Sequence, residues 1–226
     1  MNKSSLQIKK ELEKHIKPEK VAILSSFFKT GKGEYGERDK FLGITVPSQR
    51  LVAKAYREVS FEAVKELLES EYHEHRLTGF LILTYKFEKA EEKEKKAIFD
   101  FYYKHRKYAN NWDLVDLSAY KIMGEYLLNK KRDVLYKLAQ SKGLWDRRIA
   151  MVSCFAFIRK HDFEDVLKIA EILVQDKHDL IQKAVGWMLR EVGKRDADAE
   201  RGFLRQYEKV MPRVMWRYAV EKGMRP

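Results

Sequence analysis

The apolar residues of this chain recur at intervals of three and four positions, and hardly any stretch alternates between apolar and polar residues. This spacing is typical of amphipathic α-helices, whereas half-buried strands need the alternation. Between Ser5 and Thr30 it predicts two helices with a break at Pro18. After Pro47, which is suited to open a helix, it predicts helices at about 47–58, 60–70, 74–89, 91–107, 112–128, 131–141, 144–160, 162–175, 178–194, 197–210 and 212–222. The sequence therefore predicts an all-α fold.

The later predicted helices form pairs at a regular interval. The second helix of successive pairs begins near His75, Trp112, Trp145 and Asp179, so the starts are 37, 33 and 34 residues apart. Such an interval is in the range of two-helix repeats, including those of the HEAT type. We therefore expect residues 1–226 to form a single domain, a curved solenoid of HEAT-like repeats with a concave basic groove lined by equivalent helices.

The charge of the chain points to a polyanionic partner. Its 46 lysine and arginine residues exceed its 34 aspartate and glutamate residues, giving a net charge of +12. This excess favours nucleic acid first and an anionic membrane surface second. The single Cys154 excludes an internal disulfide, and no apolar stretch approaches the roughly twenty residues that span a bilayer. We expect a cytoplasmic protein that does not use a membrane.

A candidate site for chemistry lies at the predicted helix start that follows Asn111. Either Asn110 or Asn111 can cap the helix, and Asp113 in the first turn suits the positive end of the helix dipole. Trp112 and Asp116 are four residues apart and so share one helical face, away from the apolar stripe that includes Val115. The simpler alternative is that Trp112 is a core aromatic and Asp116 a solvated or capping charge.

Three of the later helices carry cations beside tryptophan. They place Arg147 and Arg148 beside Trp145, Lys183, Arg190 and Lys194 beside Trp187, and Arg213 and Arg217 beside Trp216. On equivalent helices of a solenoid, the cations would meet phosphates and the indoles would meet sugar or base. The alternative is that the tryptophans pack between helices and that the cations belong to solvated faces.

Other classes of site are not supported by the residues. His73 and His75 are two positions apart and would point to different faces of a helix, and no paired-cysteine or HExxH spacing is present. The glycine-rich, charged loop Lys29–Arg38 lacks the spacing and the Gly-Lys-Ser/Thr ending of a phosphate-binding P-loop. Neither a dinucleotide fingerprint nor a nucleophile elbow occurs. We therefore expect no metal and no cofactor.

Three motifs carry a resemblance to a known family. They are Trp112–Asp116 with the sequence WDLVD, Trp145–Ala150 with WDRRIA, and Ile181–Glu191 with IQKAVGWMLRE. In this order they resemble the AlkD-type DNA alkylation-repair glycosylases, which are built from HEAT-like repeats. The resemblance covers nearly the whole chain from about Pro18 onward. It implies a monomeric, monofunctional enzyme that hydrolyses the N-glycosidic bond of positively charged N3- or N7-alkylated purines in double-stranded DNA.

The resemblance also implies roles for particular residues. It makes Asp116 the catalytic carboxylate, Trp112 and Trp187 the aromatics that cradle the deoxyribose, and Arg148 a DNA contact near the lesion. Lys183, Arg190, Arg147, Lys194, Arg213 and Arg217 would then be backbone contacts on the basic face. Members of the family can have tyrosine where this chain has Phe27, and the missing hydroxyl would weaken a DNA contact.

Two other functions remain open. Because the family includes members that bind unusual DNA structures with little or no excision, a non-catalytic protein that recognises distorted or branched DNA is the main alternative. A helical scaffold for a protein partner also fits the fold, but it leaves Asp116 and the aligned cations without a purpose.

Overall fold

The computed structural model describes residues 4–221 and confirms the all-α prediction. Helices account for 68% of the structure. In the described residues β-structure is limited to an isolated bridge between Lys40 and Tyr72. The chain divides into two compact units, Met1–Ser118 and Ala119–Pro226. That residues 1–226 form a single domain stays a prediction. The curvature and the groove of a solenoid stay predictions as well.

The first unit contains seven helices in its described residues. They are α1 (Ser5–Glu13), α2 (Val21–Phe27), α3 (Val46–Ala55), α4 (Phe61–Leu68), α5 (His73–Lys89), α6 (Glu92–His105) and α7 (Trp112–Asp116). The break predicted at Pro18 is a short 3-10 turn at Pro18–Lys20, and Pro47 lies in the first turn of α3 as expected.

Helix α5 forms the core of the first unit. It packs against α3, α4, α6 and α7, and its residues from Leu77 to Thr84 are all buried. A helix that is apolar around its whole circumference has to be covered on every side, so the other helices surround it. Its first turn is different, because His73, Glu74, His75 and Arg76 are polar and yet buried.

Glu74 fixes the segment before α3 onto the first turn of α5. Its carboxylate accepts hydrogen bonds from the amides of Leu42 at 3.0 Å, Gly43 at 2.9 Å and Ile44 at 3.2 Å. At Gly43 the backbone has φ 82°, and a Cβ there would lie 2.0 Å from the carbonyl oxygen of Lys17, so this position needs glycine. The segment is therefore held tightly although it is not helical.

The second unit contains seven further helices in its described residues. They are α8 (Asp133–Ala139), α9 (Leu144–Ser153), α10 (Phe155–Ile158), α11 (Glu164–Leu173), α12 (Asp179–Gly193), α13 (Ala197–Tyr207) and α14 (Arg213–Val220). Helix α12 is central and packs closely on α14, because a Cβ on Gly186 would lie 2.4 Å from the carbonyl oxygen of Met215. None of the helices in residues 4–221 is long and apolar enough to cross a membrane.

Two long helices predicted from the sequence are wrong as continuous elements. The prediction for 112–128 fails because α7 ends at Asp116 and a π-helical turn follows at Tyr120–Gly124. Between them Ser118 donates its hydroxyl to the carbonyl of Leu114 and lies 3.0 Å from the hydroxyl of Tyr102, which favours a local turn.

The prediction for 144–160 fails in a similar way, since α9 ends at Ser153 and α10 begins after the buried Cys154. In the last predicted helix, 212–222, residue 222 lies outside the described residues.

We predict that Glu74→Ala lowers the free energy of unfolding by about 3 kcal/mol or more, because it leaves three backbone amides without their acceptor. Urea denaturation followed by circular dichroism measures this change. The matched control is Glu62→Ala, which removes an exposed carboxylate from α4 and is expected to change the stability by less than about 0.5 kcal/mol. Equal stability of the two variants would contradict the proposed anchoring.

Candidate functional site

A cavity of about 530 Å³ opens in the first unit. Its wall is formed by α2, the segment 41–49, the first turn of α5 and α7. Trp112 and Asp116, the pair singled out in the sequence, both line it, and both are half-buried. The indole and the carboxylate therefore border one space, as their spacing on the helix predicts.

One wall of this cavity is a layer of aromatic rings. Phe28 stacks on Phe41 with 5.2 Å between ring centroids and on Trp112 at the same centroid distance. Phe27 meets Trp112 edge-on at 5.7 Å and is itself 60% exposed. The indole of Trp112 is therefore held on two sides by packed rings, and its orientation is restricted before any ligand arrives.

Helix α7 is too short to be stable by itself. It has five residues, and forming a single helical turn costs more conformational entropy than its few hydrogen bonds offset. Of the two asparagines that could cap it, Asn111 is the N-cap and accepts a hydrogen bond from the amide of Trp112 at 2.8 Å. The amide of Leu114 donates to the carboxylate of Asp113 at 2.8 Å. The remaining support for the helix has to come from its neighbours.

That support is a buried network centred on His73, the first residue of α5. One ring nitrogen, Nε2, lies 2.8 Å from the carboxylate of Asp113, and the other, Nδ1, lies 3.1 Å from that of Asp39. Arg76 donates to Asp39 at 2.6 Å, and the side-chain amide of Asn110 donates to the same carboxylate at 3.0 Å. Residues on both sides of the start of α7 are thus tied to α5.

The network favours a protonated His73. Burial alone would lower the pKa of this imidazole, but the facing carboxylates of Asp113 and Asp39 outweigh it and raise the pKa to about 9. Burial would likewise raise the pKa of Asp39, but the hydrogen bond from His73 and the charge of Arg76 hold it below its usual range. The result is an imidazolium between two carboxylates, with each ring nitrogen donating one hydrogen bond.

The second unit carries Trp187 and three of the predicted cations on α12 and its C-cap. Trp187 is half-buried, and its ring centroid lies 6.0 Å from that of Phe155. Each cation has an acidic neighbour: Lys183 pairs with Asp179 at 2.8 Å, Arg190 pairs with Glu221 at 3.0 Å, and Lys194 pairs with Glu191. A phosphate at this face would compete with these carboxylates for the cations.

The remaining predicted cations differ in exposure. Arg147 pairs with Asp176 at 2.7 Å, whereas Arg148 is buried and donates to the carbonyl of Leu180, which joins α9 to α12. Arg213 and Arg217 are exposed on α14. DNA contacts by any of these side chains stay predictions, and Arg213 and Arg217 are the most accessible of them.

The buried network around His73 was not predicted from the sequence, although a signal was present. His73 to Arg76 form a run of polar residues directly before an uninterrupted apolar helix, a combination that requires buried partners. The partners Asp39 and Asp113 are distant in sequence, so the spacing of residues did not identify them. Within residues 4–221 no group of three or more His, Cys, Asp or Glu side chains is arranged to hold a metal ion.

We predict that the free energy of unfolding falls by a few kcal/mol as the pH rises from about 6.5 to 9. The sign follows from the raised pKa of His73, because its stabilising charge is fully present below 6.5 and is lost as the pH passes 9. Burial lowers the pKa of His75 to about 4, so its titration lies outside this window. Urea denaturation at a series of pH values measures the slope.

Between about pH 6.5 and 9, His73→Gln should remove most of the pH dependence of the free energy of unfolding. The control is His161→Asn, which replaces an exposed histidine and should leave this pH dependence unchanged. A slope that persists in His73→Gln would contradict the assignment.

Comparisons with known proteins identify the family of the chain. A search of curated proteins finds no significant match. Among solved structures, the chain is similar to a predicted DNA alkylation repair enzyme from Enterococcus faecalis, with 18% sequence identity and a TM-score of 0.71 over 92% of this chain and 96% of that one. This likeness shows a shared fold. The family model described as DNA alkylation repair enzyme matches residues 8–222, and the chain therefore belongs to the DNA alkylation repair enzyme family.

Proposed function

We propose that this protein is a monofunctional DNA glycosylase that releases positively charged N3- or N7-alkylated purines from double-stranded DNA. The observation that carries the proposal is the placement of Asp116 at the end of an anchored helix, beside Trp112 and on the wall of an aromatic cavity. Membership of the DNA alkylation repair enzyme family supports DNA as the substrate.

The chemistry of the substrate explains why one carboxylate is sufficient. An alkylated purine with a fixed positive charge leaves as a neutral base, so no general acid is needed to protonate it. As the bond to the sugar lengthens, positive charge develops at C1′ of the deoxyribose. A carboxylate next to C1′ stabilises this charge and orients the attacking water. In the proposal Asp116 has both roles.

The tryptophans would contribute through their ring faces. An indole face attracts a cation by roughly 0.5–2 kcal/mol, and this attraction grows as charge develops on the sugar. Trp112 is held in one orientation by Phe28 and Phe27, so little freedom is lost when it meets a substrate. Trp187 is proposed as the second aromatic contact. Because the mechanism involves no lysine nucleophile, the proposed product is an abasic site with an intact strand.

We predict that Asp116→Asn lowers the rate of base release by at least about a hundredfold while DNA binding is retained. The amide has nearly the same shape as the carboxylate but lacks its charge. The measurement is single-turnover release of N7-methylguanine from a duplex, with affinity for the same duplex measured in parallel.

The control for this experiment is Glu62→Gln, which neutralises an exposed carboxylate elsewhere in the first unit. Release by Asp116→Asn at the rate of the unmodified protein would contradict the proposed role of the Asp116 carboxylate. If neither protein releases the base but both bind the duplex tightly, the function is instead that of a non-catalytic protein that recognises distorted or branched DNA.

We also predict that DNA affinity falls steeply with salt, because cations that contact phosphates displace condensed counterions. Replacing both Arg213 and Arg217 by alanine should reduce the slope of log K against log salt by about 2. The matched control replaces Lys93 and Lys96, two exposed lysines on α6, and so removes the same charge. Equal slopes for the two double variants would contradict a phosphate-binding role for α14.

A further inference from the structure

We infer that the glycine-rich loop Lys29–Arg38, which follows α2, is a further DNA-binding element that contacts backbone phosphates close to the nucleotide held at Trp112. Its cations Lys29, Lys32 and Arg38 would meet these phosphates. The inference rests on the proposed function, because it takes double-stranded DNA as the partner. It goes further by assigning a backbone contact to the first unit, whereas the cations considered above lie in the second.

The loop is anchored beside the candidate site at its start, middle and end. Phe28, directly before it, stacks on Trp112 with 5.2 Å between ring centroids. Gly36 is buried, and a Cβ there would lie 2.3 Å from the carbonyl oxygen of Phe28 and 3.3 Å from the side-chain nitrogen of Asn111, the N-cap of α7. Asp39, directly after the loop, belongs to the buried network. A nucleotide that meets Trp112 therefore has this loop as its neighbour.

Hydrogen bonds within the loop give it a defined shape. The carboxylate of Glu34 accepts from the amide of Gly31 at 2.9 Å. The carboxylate of Glu37 accepts from the amide of Gly33 at 3.0 Å. The acidic residues of the loop thus bond to its backbone and not to its cations. A loop that is already ordered loses little conformational freedom when it binds, which favours affinity.

The cations of the loop are available to a ligand. Lys29, Lys32 and Arg38 are exposed, and within residues 4–221 none of the three forms an ion pair. The cations predicted on α12 differ, because each of them pairs with an acidic neighbour. A phosphate at the loop would therefore not have to displace a carboxylate.

The backbone conformation also points to a function for these side chains. Lys29 has φ 56° and Arg38 has φ 77°, in the left-handed region that disfavours residues with a Cβ. At the remaining left-handed position of the loop the chain has glycine, Gly33, with φ 79°. Glycine would adopt the other two conformations with less strain as well. Long cationic side chains at these positions thus cost stability, as strained residues at binding sites do.

The composition of the loop suits DNA better than a protein partner. Residues 29–38 include no aliphatic side chain, and their one aromatic residue, Tyr35, is half-buried. Protein interfaces are centred on aromatic or other large side chains that enter a pocket of the partner. Contacts to the DNA backbone need only charge and hydrogen-bond donors, and they do not depend on the base sequence.

The test replaces Lys29 and Arg38 together by glycine, which removes two charges and suits both left-handed positions. Affinity for an undamaged duplex is measured over a range of salt concentrations. We expect the slope of log K against log salt to fall by about 2, and the affinity at about 0.1 M salt to fall by about tenfold or more. The midpoint of thermal unfolding should stay the same or rise, because strain is relieved. An unchanged slope would overturn the inference.

Two further variants separate the charge from other effects. The matched control, Lys93→Ala with Lys104→Ala, removes two exposed lysines from α6 and should leave the slope unchanged. Lys29→Asn with Arg38→Asn keeps a side chain that tolerates the left-handed region, and it should lose as much affinity as the glycine variant. A parental slope in the asparagine variant would assign the loss in the glycine variant to loop flexibility and overturn the inference.

The position of the contact is tested with duplexes in which one phosphate near an N7-methylguanine is replaced by an uncharged methylphosphonate. A fluorine at C2′ of the lesion nucleotide prevents base release during the measurement. At one or more phosphates within about three nucleotides of the lesion, the replacement should weaken binding of the parent about fivefold and of the glycine variant less than about twofold. Equal losses in both proteins at every position would overturn the placement beside the lesion.

The two proposals can fail separately. Binding to an undamaged duplex requires no base release, so its salt dependence decides whether the loop contacts DNA. Base release by the parent protein and Asp116→Asn decides whether the protein is a glycosylase. A protein that releases base, and whose loop variants keep the parental slope, would retain the function and lose the loop contact. A protein that binds the duplex through the loop and releases no base would retain the contact and lose the enzymatic function.

Discussion

The buried imidazole of His73, held between the carboxylates of Asp113 and Asp39, is the interaction on which the geometry of the candidate site depends. Helix α7 has only five residues and gains little stability from its own hydrogen bonds. The network fixes its first turn to α5, the helix at the centre of the first unit. Asp116 lies one turn further along the same helix. Its position is therefore determined by His73, Asp113 and Asp39, which are not proposed to take part in the reaction.

The residues that support the site differ from the residues that are proposed to contact DNA. The supporting groups are buried and fully used: His73 and Arg76 bond to Asp39, and Glu74 holds the segment before α3. The groups proposed to meet DNA, Asp116 and Trp112, are half-buried and border open space. Sites built in this way keep reactive groups in a narrow range of positions without large movements on binding. The cations predicted from the sequence to contact the DNA backbone lie in the second unit, and most of them are paired with acidic neighbours.

Much of the fold could be predicted from the sequence, because helical periodicity is a strong local signal. The pairing of Trp112 with Asp116 followed from their spacing, and the residue type narrowed the cap to Asn110 or Asn111, of which the structure has Asn111. The breaks at Ser118 and Cys154 could not be predicted in this way, since they depend on contacts made after folding. The network around His73 was missed because Asp39 and Asp113 lie far from it in sequence. The cavity was missed for the same reason, since its walls come from four separate segments.

The most direct measurement for the central claim is the single-turnover rate of base release by His73→Gln, with duplex affinity measured under the same conditions, in which both proteins are folded. His73 does not border C1′ in the proposed mechanism, and its proposed effect on release is through the position of Asp116. We predict that the rate falls by about tenfold or more while affinity for the duplex is unchanged. Release at the parental rate would show that the position of Asp116 does not depend on the buried network, and would contradict the account.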